Sequence, residues 1–387
     1  MPIEMIEDQV FNQGTQIKVI GVGGGGGNAV GHMISCAVQG VEFICANTDA
    51  QALSSSRAHR TIQLGSSGLG AGSKPDKGRD AAELAVDDIR SAIEGAHMLF
   101  ITAGMGGGTG TGAAPVIARV AREMGILTVA VVTTPFKFEG KRRAASAERG
   151  IEELTQYVDS LITIPNEKLM SVYRNLSVID AFKRADDVVL SAVRGISDLI
   201  ISPGFVNIDF ADIRTAMTAR GHAMMGIGTG KGDDRARIAA EMAVRSPLLD
   251  NVLLEGAQGL LVNITGANVK MDEVQAVGDI IDQIADENAN IFLGMVDDPD
   301  AGDELRITVI ATGLSRDDRA MERRPIPTRK DQVALPLDDV DAPAIDRRHA
   351  GLTEPLSVAA AEQPAVERPA VSSPMRIQDF LKNQQKR

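Results

Sequence analysis

Five consecutive glycines, Gly23 to Gly27, separate a strand-like run from a helix-like run in IKVIGVGGGGGNAVGHM, Ile17 to Met33. Glycine loses more conformational freedom on folding than any other residue, so five in a row is a poor way to make an ordinary turn. One use justifies so bare a backbone. A strand feeding through a glycine turn into a helix collects unpaired N–H groups and a positive helix terminus at one point. With no Cβ atoms in the way, phosphate oxygens can approach that backbone closely. The stretch predicts a nucleotide-phosphate site.

The remaining glycines narrow the choice of fold. Gly21, Gly23 and Gly26 fit G-x-G-x-x-G, and Asp49 follows Gly27 by 22 residues, as in a dinucleotide-binding fingerprint. A Walker A loop is excluded, because no G-K-[ST] follows any glycine run. After the strand-like HMLFITA comes a second turn, GMGGGTGTGAAP (Gly104 to Pro115), which opens another helix. A dinucleotide-binding domain needs only one such turn. A third loop, GSSGLGAGSKPDKG (Gly65 to Gly78), adds more glycine and two lysines. Several loops at the carboxyl ends of neighbouring strands thus surround one polyphosphate, where open α/β sheets bind their ligands.

Strand-like runs recur at Gln16–Val22, Val41–Ala46, Met98–Thr102, Leu127–Thr133 and Ser160–Ile164. Helix-like runs such as Ala113–Met124 and Arg142–Tyr157 lie between them, which implies an α/β fold with a mostly parallel sheet. DDVVLSAVRGISDLIIS then carries Val189, Ala192, Val193, Ile196, Leu199 and Ile200 at helical spacing, and Pro203 and Gly204 end it. Beyond it come the strand-like Gly259–Thr265, Asn290–Val296 and Glu304–Gly313, with helical stretches Asp233–Arg245 and Asp272–Ile284. The expected organisation is a flexible segment 1–15, a Rossmann-like nucleotide domain 16–179, a central helix 180–204 and a smaller α/β domain 205–316. Half of the 16 prolines follow Ser315, where the chain has one glycine, Gly351, and one aromatic residue, Phe380. Such a segment cannot bury enough apolar surface to offset its ordering entropy, so 317–373 reads as a disordered linker before a terminal peptide, 374–387.

Bulk properties exclude several function classes. A net charge of -12 over 387 residues makes a nucleic-acid partner held by its phosphates a poor fit. The two cysteines, Cys36 and Cys45, form no metal-binding pattern, which fits a reduced cytoplasmic protein without structural zinc. MPIEMIEDQVFNQG lacks the cationic head of a signal peptide, and no run approaches the ~18–20 apolar residues of a membrane span. A soluble protein is expected, with no direct membrane insertion.

GGGGGN, NTDAQAL, GMGGGTGTG, FKFEGKRR and NIDFADIR resemble the motifs of the FtsZ family, the bacterial tubulin-like cell-division GTPases. The resemblance runs from about Gln16 to Ser315, and GGGTGTG is the most specific of its motifs. It implies a GTPase with GTP/GDP and Mg²⁺ as cofactors. By similarity, Gly24, Gly25, Gly26, Gly27 and Asn28 form the first phosphate loop, and Asn28 also reaches the base, where its amide can donate and accept. Gly107, Gly108, Thr109 and Gly110 wrap the α- and β-phosphates, and Gly70, Ala71 and Gly72 sense the γ-phosphate. Asn47 and Asp49 lie near the Mg²⁺. That ion keeps several waters and few protein ligands, so no metal ligand is assigned.

Glu139 and Arg143 resemble ribose contacts, although from spacing alone they are an exposed i, i+4 pair at a helix start. Asn166, in IPNEK, is similar to a further nucleotide contact. Phe182 and Asp186, in DAFKRADD, fall at i and i+4. A ring there can stack on a base, and a carboxylate can take the adjacent N1–H and 2-amino donors of guanine, a pair that adenine lacks. Asp187 stands beside it as the alternative acid, and either could simply favour a helix N-terminus.

Catalysis is expected from NIDFADIR. Asp209 and Asp212 are i, i+3 neighbours that in isolation read as an N-cap and a first-turn acid. The resemblance gives them another role, with Asn207, in a synergy loop that docks on the nucleotide of an adjacent subunit and orients the attacking water. Hydrolysis then requires head-to-tail self-association, an open heterologous contact that builds filaments. In MRIQDFLKNQQKR, Ile377, Phe380 and Leu381 fall at helical spacing and suit a helix-in-groove ligand. The run resembles the family's terminal peptide, which binds membrane tethers such as the actin-like FtsA. It carries Arg376, Ile377, Gln378 and Asp379 where the family often has Asp-Ile-Pro. These readings imply a cytoplasmic protein at the midcell division site. The other readings are a tubulin-like GTPase for plasmid segregation or cell shape, a non-hydrolysing scaffold, and an NAD-dependent oxidoreductase that would leave GGGTGTG unused.

Overall fold

The computed structural model describes residues 14–172, 177–201, 208–218, 221–249, 257–286 and 289–314. All of them belong to one compact unit. Asn207, the linker 317–373, the terminal peptide with Ile377, Phe380 and Leu381, and all but the last two residues of segment 1–15 lie outside the described residues.

Six strands come first: β1 (Ile17–Val22), β2 (Val41–Asn47), β3 (Arg60–Gln63), β4 (Met98–Gly104), β5 (Leu127–Thr134) and β6 (Ser160–Pro165). They lie side by side in the order β3-β2-β1-β4-β5-β6, all parallel. This is the order of doubly wound dinucleotide-binding sheets, whose winding reverses between β1 and β4 and opens a crevice at the carboxyl ends there. Helices α1 (Gly23–Ser35), α2 (Ala50–Ser54), α3 (Pro75–Glu83), α4 (Val86–Ile93), α5 (Thr109–Glu123) and α6 (Lys141–Thr155) connect the strands, and α7 (Asn166–Val172) follows β6.

Strand residues alternate between two cores, as the period of 2 requires. Val19, Phe43, Phe100 and Val129 face α1 and the long helix α8 (Val178–Ile201). Ile20, Ile44, Ile101 and Ala130 face the opposite side, packed with residues of α4, α5 and α6. Helix α8 begins two residues before the expected start at 180, and its buried Val189, Val193 and Ile196 share a core with Met225, Leu261 and Ile310 further along the chain.

The later elements are α9 (Phe210–Met217), β7 (Gly221–Gly230), α10 (Arg235–Val244), β8 (Gly259–Gly266), α11 (Met271–Asp282), β9 (Asn290–Asp297) and β10 (Leu305–Leu314). Ser160–Ile162 of β6 pair in parallel with Gly221–Ala223 of β7, so the sheet continues as β7-β10-β8-β9. Strand β7, which the apolar pattern missed, pairs antiparallel with β10. Its glycines explain the omission. A Cβ on Gly226, Gly228 or Gly230 would stand 2.0, 2.0 or 2.1 Å from the carbonyl oxygens of Ala243, Ala239 and Arg235. Three alternate strand positions therefore accept the backbone of α10 directly, where a side chain cannot fit.

Candidate functional site

Strand β1 passes into α1 with no intervening loop. Gly23, at φ 71°, makes the turn, and Gly24–Gly27 form the first helical turn rather than a loop before it. Gly21 and Gly26 let this helix lie on the sheet: a Cβ on Gly26 would stand 2.3 Å from the carbonyl oxygen of Thr102 in β4. Gly24 and Gly27 have nothing within 4 Å of that position. The helix starts with no capping side chain and no acid in its first turn, so its leading N–H groups are unclaimed.

The second turn repeats the design one strand over. Gly108 is the N-cap of α5, again without a side-chain cap or first-turn acid. Gly107 is open, whereas a Cβ on Gly110 would meet the Gly104 carbonyl oxygen at 2.6 Å. Gly70 and Gly72 of the third loop have φ of 80° and 57° with open space beside both. The second and third loops are tied together, partly through Thr48, just after β2. The Thr48 and Thr109 hydroxyls lie 2.6 Å apart, and the Gly70 N–H donates to the Thr48 carbonyl at 3.0 Å. Buried Ala71 lies where a Cβ on Gly108 would meet its methyl at 2.8 Å. Asn47 accepts from the Asp49 N–H at 3.3 Å, and Asp49 accepts from the N–H groups of Gln51 and Ala52 to cap α2.

Beside these loops, Gly25, Asn28, Glu139, Arg143, Asn166, Phe182 and Asp186 all line one cavity of about 110 Å³. Residues chosen from separate stretches of sequence thus share a single space. Asn28 also lines a neighbouring cavity of about 330 Å³ with Gly24, Gly27 and Asn47. Glu139 and Arg143 also line a third, of about 690 Å³, with Gly72. The ion-pair reading of Glu139 and Arg143 holds as well, with Nε to Oε2 at 3.2 Å, and Glu139 accepts from the Phe136 N–H at 2.9 Å.

Burial pushes the Asp186 carboxyl up to about 6, with His32 pulling it down and Asp187 raising it further. The two neighbouring acids have different surroundings. Asp187 is held by His32 Nε2 at 2.8 Å and Arg184 at 3.1 Å, whereas Asp186 lines the cavity. Phe182 meets Phe136 edge-on at 5.2 Å and stays 41% exposed. Asn166 is 4% exposed, and its Oδ1 is buried with no hydrogen-bond partner. Buried acceptors are rarely left so, and a ligand bearing a donor would satisfy this one. Sequence reasoning missed Thr133, Thr134 and Pro135, which line the same cavity. Their position at the carboxyl end of β5, beside β4, was the available signal.

Asp209 and Asp212 lie elsewhere. Both are exposed, and Asp209 occupies the N-cap position of α9 without a side-chain cap bond. Helix α9 docks at the amino ends of the parallel strands. The Phe210 ring packs edge-on against His97, just before β4, at 6.3 Å. Arg214 donates to the Gly125 carbonyl, just before β5, at 3.3 Å. The glycine turns stand at the opposite ends of those strands, about 20 Å away for six or seven residues of parallel strand. Among the described residues, no group of three His, Cys, Asp or Glu side chains could hold a metal ion, and no helix is long and apolar enough to cross a membrane.

Comparison with known proteins adds to this geometry. Residues 16–174 match the Tubulin/FtsZ family, GTPase domain, and residues 221–315 match the FtsZ family, C-terminal domain. The chain is 53% identical over 343 residues to the cell division protein FtsZ of Coxiella burnetii, covering 87% of this chain and 89% of that one. It is 56% identical over 316 residues to FtsZ of Azotobacter vinelandii, covering 80% of each. A solved FtsZ dimer from M. jannaschii, in the empty state, superposes with a TM-score of 0.74 at 40% identity, covering 77% of this chain and 88% of that one.

Proposed function

The chain belongs to the FtsZ family of tubulin-like cell-division GTPases, and from that premise we propose that its active site is completed only when one copy stacks on the next. The chain is a GTPase and binds guanine nucleotide. In the proposed reading, the glycine turns of one subunit hold the phosphates by backbone N–H groups, with Thr109 donating its hydroxyl. Phe182 stacks on guanine, and Asp186 and Asn28 bond its edge. Glu139, Arg143 and Asn166 hold the ribose side. Asn47 and Asp49 would stand nearest a Mg²⁺ ion, which would supply neutralisation of the phosphate charge; the scarcity of acids fits an ion held largely by phosphates and water.

Water activation belongs to Asp209 and Asp212 of the neighbouring subunit, with Asn207 assisting by position. One observation carries this reading: both carboxylates are exposed and, among the described residues, without an ion pair or cap bond, and their helix docks at the ends of β4 and β5 remote from the glycine turns. They cannot serve the nucleotide of their own chain. The same surface mismatch makes the contact head-to-tail and open, so assembly builds filaments. In the cell these filaments form the division ring at the cytoplasmic face of midcell. Ile377, Phe380 and Leu381 attach them to membrane tethers such as FtsA, and deleting 375–387 is expected to spare assembly while abolishing tether capture in a purified pull-down.

The deciding experiment is GTP hydrolysis against protein concentration. A sharp onset that coincides with light scattering is expected. Full-rate hydrolysis by demonstrably monomeric protein would defeat the shared site.

A further inference from the structure

Hydrolysis in the shared GTP site leaves two anions where one stood. On that reading of the active site, we propose that the basic cavity between α3 and α6 is a second oxyanion site, which receives inorganic phosphate as it leaves the nucleotide. The cavity, of about 690 Å³, is lined by Lys74, Lys77, Arg142, Arg143 and Arg149 against only Asp76 and Glu139. Glu139 is already paired with Arg143 at 3.2 Å. Among the described residues, Lys74, Lys77, Arg142 and Arg149 take part in no ion pair. The other two cavities are far less positive, with Arg143 the one cation lining the 110 Å³ cavity and Arg57 the one lining the 330 Å³ cavity.

Two further features point inward. The first turn of α3 supplies Pro75, Asp76 and Lys77 to the wall; Pro75 has no N–H and Asp76 places an acid in that turn, but Lys74 at the N-cap makes no side-chain cap bond, which leaves the N–H groups of Asp76 and Lys77 without a cap. Ser146, on the opposite wall, is 7% exposed, and its Oγ is buried with no hydrogen-bond partner. A hydroxyl there donates to an oxyanion, and guanidinium groups grip its oxygens two at a time.

The cavity also shares its walls with the phosphate cradle. A Cβ on Gly78 would stand 2.3 Å from the Gly108 carbonyl oxygen, and one on Gly112 would stand 2.0 Å from that of Pro75. Helix α3 thus lies directly on the second glycine turn. Gly72, of the loop matched to the γ-phosphate, and Gly106, of the second turn, line the cavity itself. Phosphate released beside Gly72 therefore has the most positive of the three cavities as its immediate neighbour. No bond forms or breaks there; the anion changes partners.

The test uses the full chain, below its assembly threshold, loaded with GDP or with a non-hydrolysable GTP analogue. Inorganic phosphate is titrated by calorimetry at fixed ionic strength. One saturable phosphate is expected in both loaded forms, weakened at least tenfold in a Lys77→Ala/Arg149→Ala double variant and several-fold in Ser146→Ala, with GDP affinity unchanged. Binding lost when the γ-position is filled would put the anion in the nucleotide cradle and overturn the proposal. So would an unaltered affinity in the double variant. A double variant that shifts the assembly threshold, in a protein that binds no phosphate, would make the cavity a docking surface for a second copy instead. Failure of the parent protein to bind GDP would sink the nucleotide reading itself, a result distinguishable from all of these.

Discussion

The two ends of this sheet use glycine for opposite reasons. At Gly24 and Gly27 the space where a side chain would stand is empty; at Gly226, Gly228 and Gly230 the same space holds the carbonyl oxygens of α10. The first set keeps backbone N–H groups accessible to a ligand. The second set lets a helix and a strand touch without side chains between them. Glycine thus leaves open space at one end of the sheet and closes it at the other, and the exposed Asp209 and Asp212, among the described residues without an ion pair or cap bond, sit on α9, remote from the open glycines.

The sharpest test starts from the acids that stand remote from the open glycines. Asp212→Ala is expected to lower GTP hydrolysis at least about a hundredfold, or ~2.7 kcal/mol of barrier, while GTP affinity and thermal midpoint stay unchanged. Mixing it with a subunit that cannot bind GTP should restore part of the activity, because each supplies the half that the other lacks. If the variant loses nucleotide binding, Asp212 is a structural first-turn acid and the division between the ends fails. Next in size is Gly228→Ala, whose new methyl would stand 2.0 Å from the Ala239 carbonyl oxygen and 2.5 Å from the Ala243 nitrogen. Overpacking against backbone is expected to cost about 2 kcal/mol, lowering the melting midpoint by roughly 4–8 °C. Nucleotide affinity of the folded fraction should not move.

What was legible in the sequence follows from what each strand buries. The strands β1, β4, β5 and β6 were legible because their apolar residues face buried cores on both sides, and β7 was not, because its inward positions are glycine rather than apolar side chains. Phosphate turns announce themselves locally, since the ligand is met by consecutive backbone groups. The partner that holds Asp187 was illegible, because His32 is 155 residues distant from it in sequence. The basic cavity was illegible for a similar reason: its cations come from two helices with no common motif, and only the packing of α3 on the second glycine turn brings them beside the phosphates.

A third test sharpens the contrast from the open end. Gly27→Ala places a methyl in free space within α1, so helix propensity should raise stability by roughly 0.5–1 kcal/mol. GTP affinity should fall about tenfold, or ~1.4 kcal/mol, as the methyl intrudes where the ligand approaches. A calorimetric midpoint and a binding isotherm on the same sample must therefore move in opposite directions. If both fall, the space beside Gly27 serves folding, and the two glycine sets do not differ in kind.

The smallest expected effect concerns the acid at the back of the open end. Burial raises the Asp186 carboxyl to about 6, so in the nucleotide-free protein its contribution to stability is full below the ordinary value of 3.8 and is lost as pH rises through 6. Guanine reverses the preference, because its N1–H and 2-amino donors need the ionised carboxylate. Binding must therefore expel the proton, and GDP affinity should fall by about fourfold between pH 7 and pH 5.5. The titration of the nucleotide's own phosphate is common to wild type and Asp186→Asn and cancels between them. In Asp186→Asn the remaining pH dependence should vanish, since an amide does not titrate. Equal pH profiles for the two proteins would mean that guanine is read by Asn28 and Phe182 without the acid, and that burial of Asp186 serves the helix rather than the base.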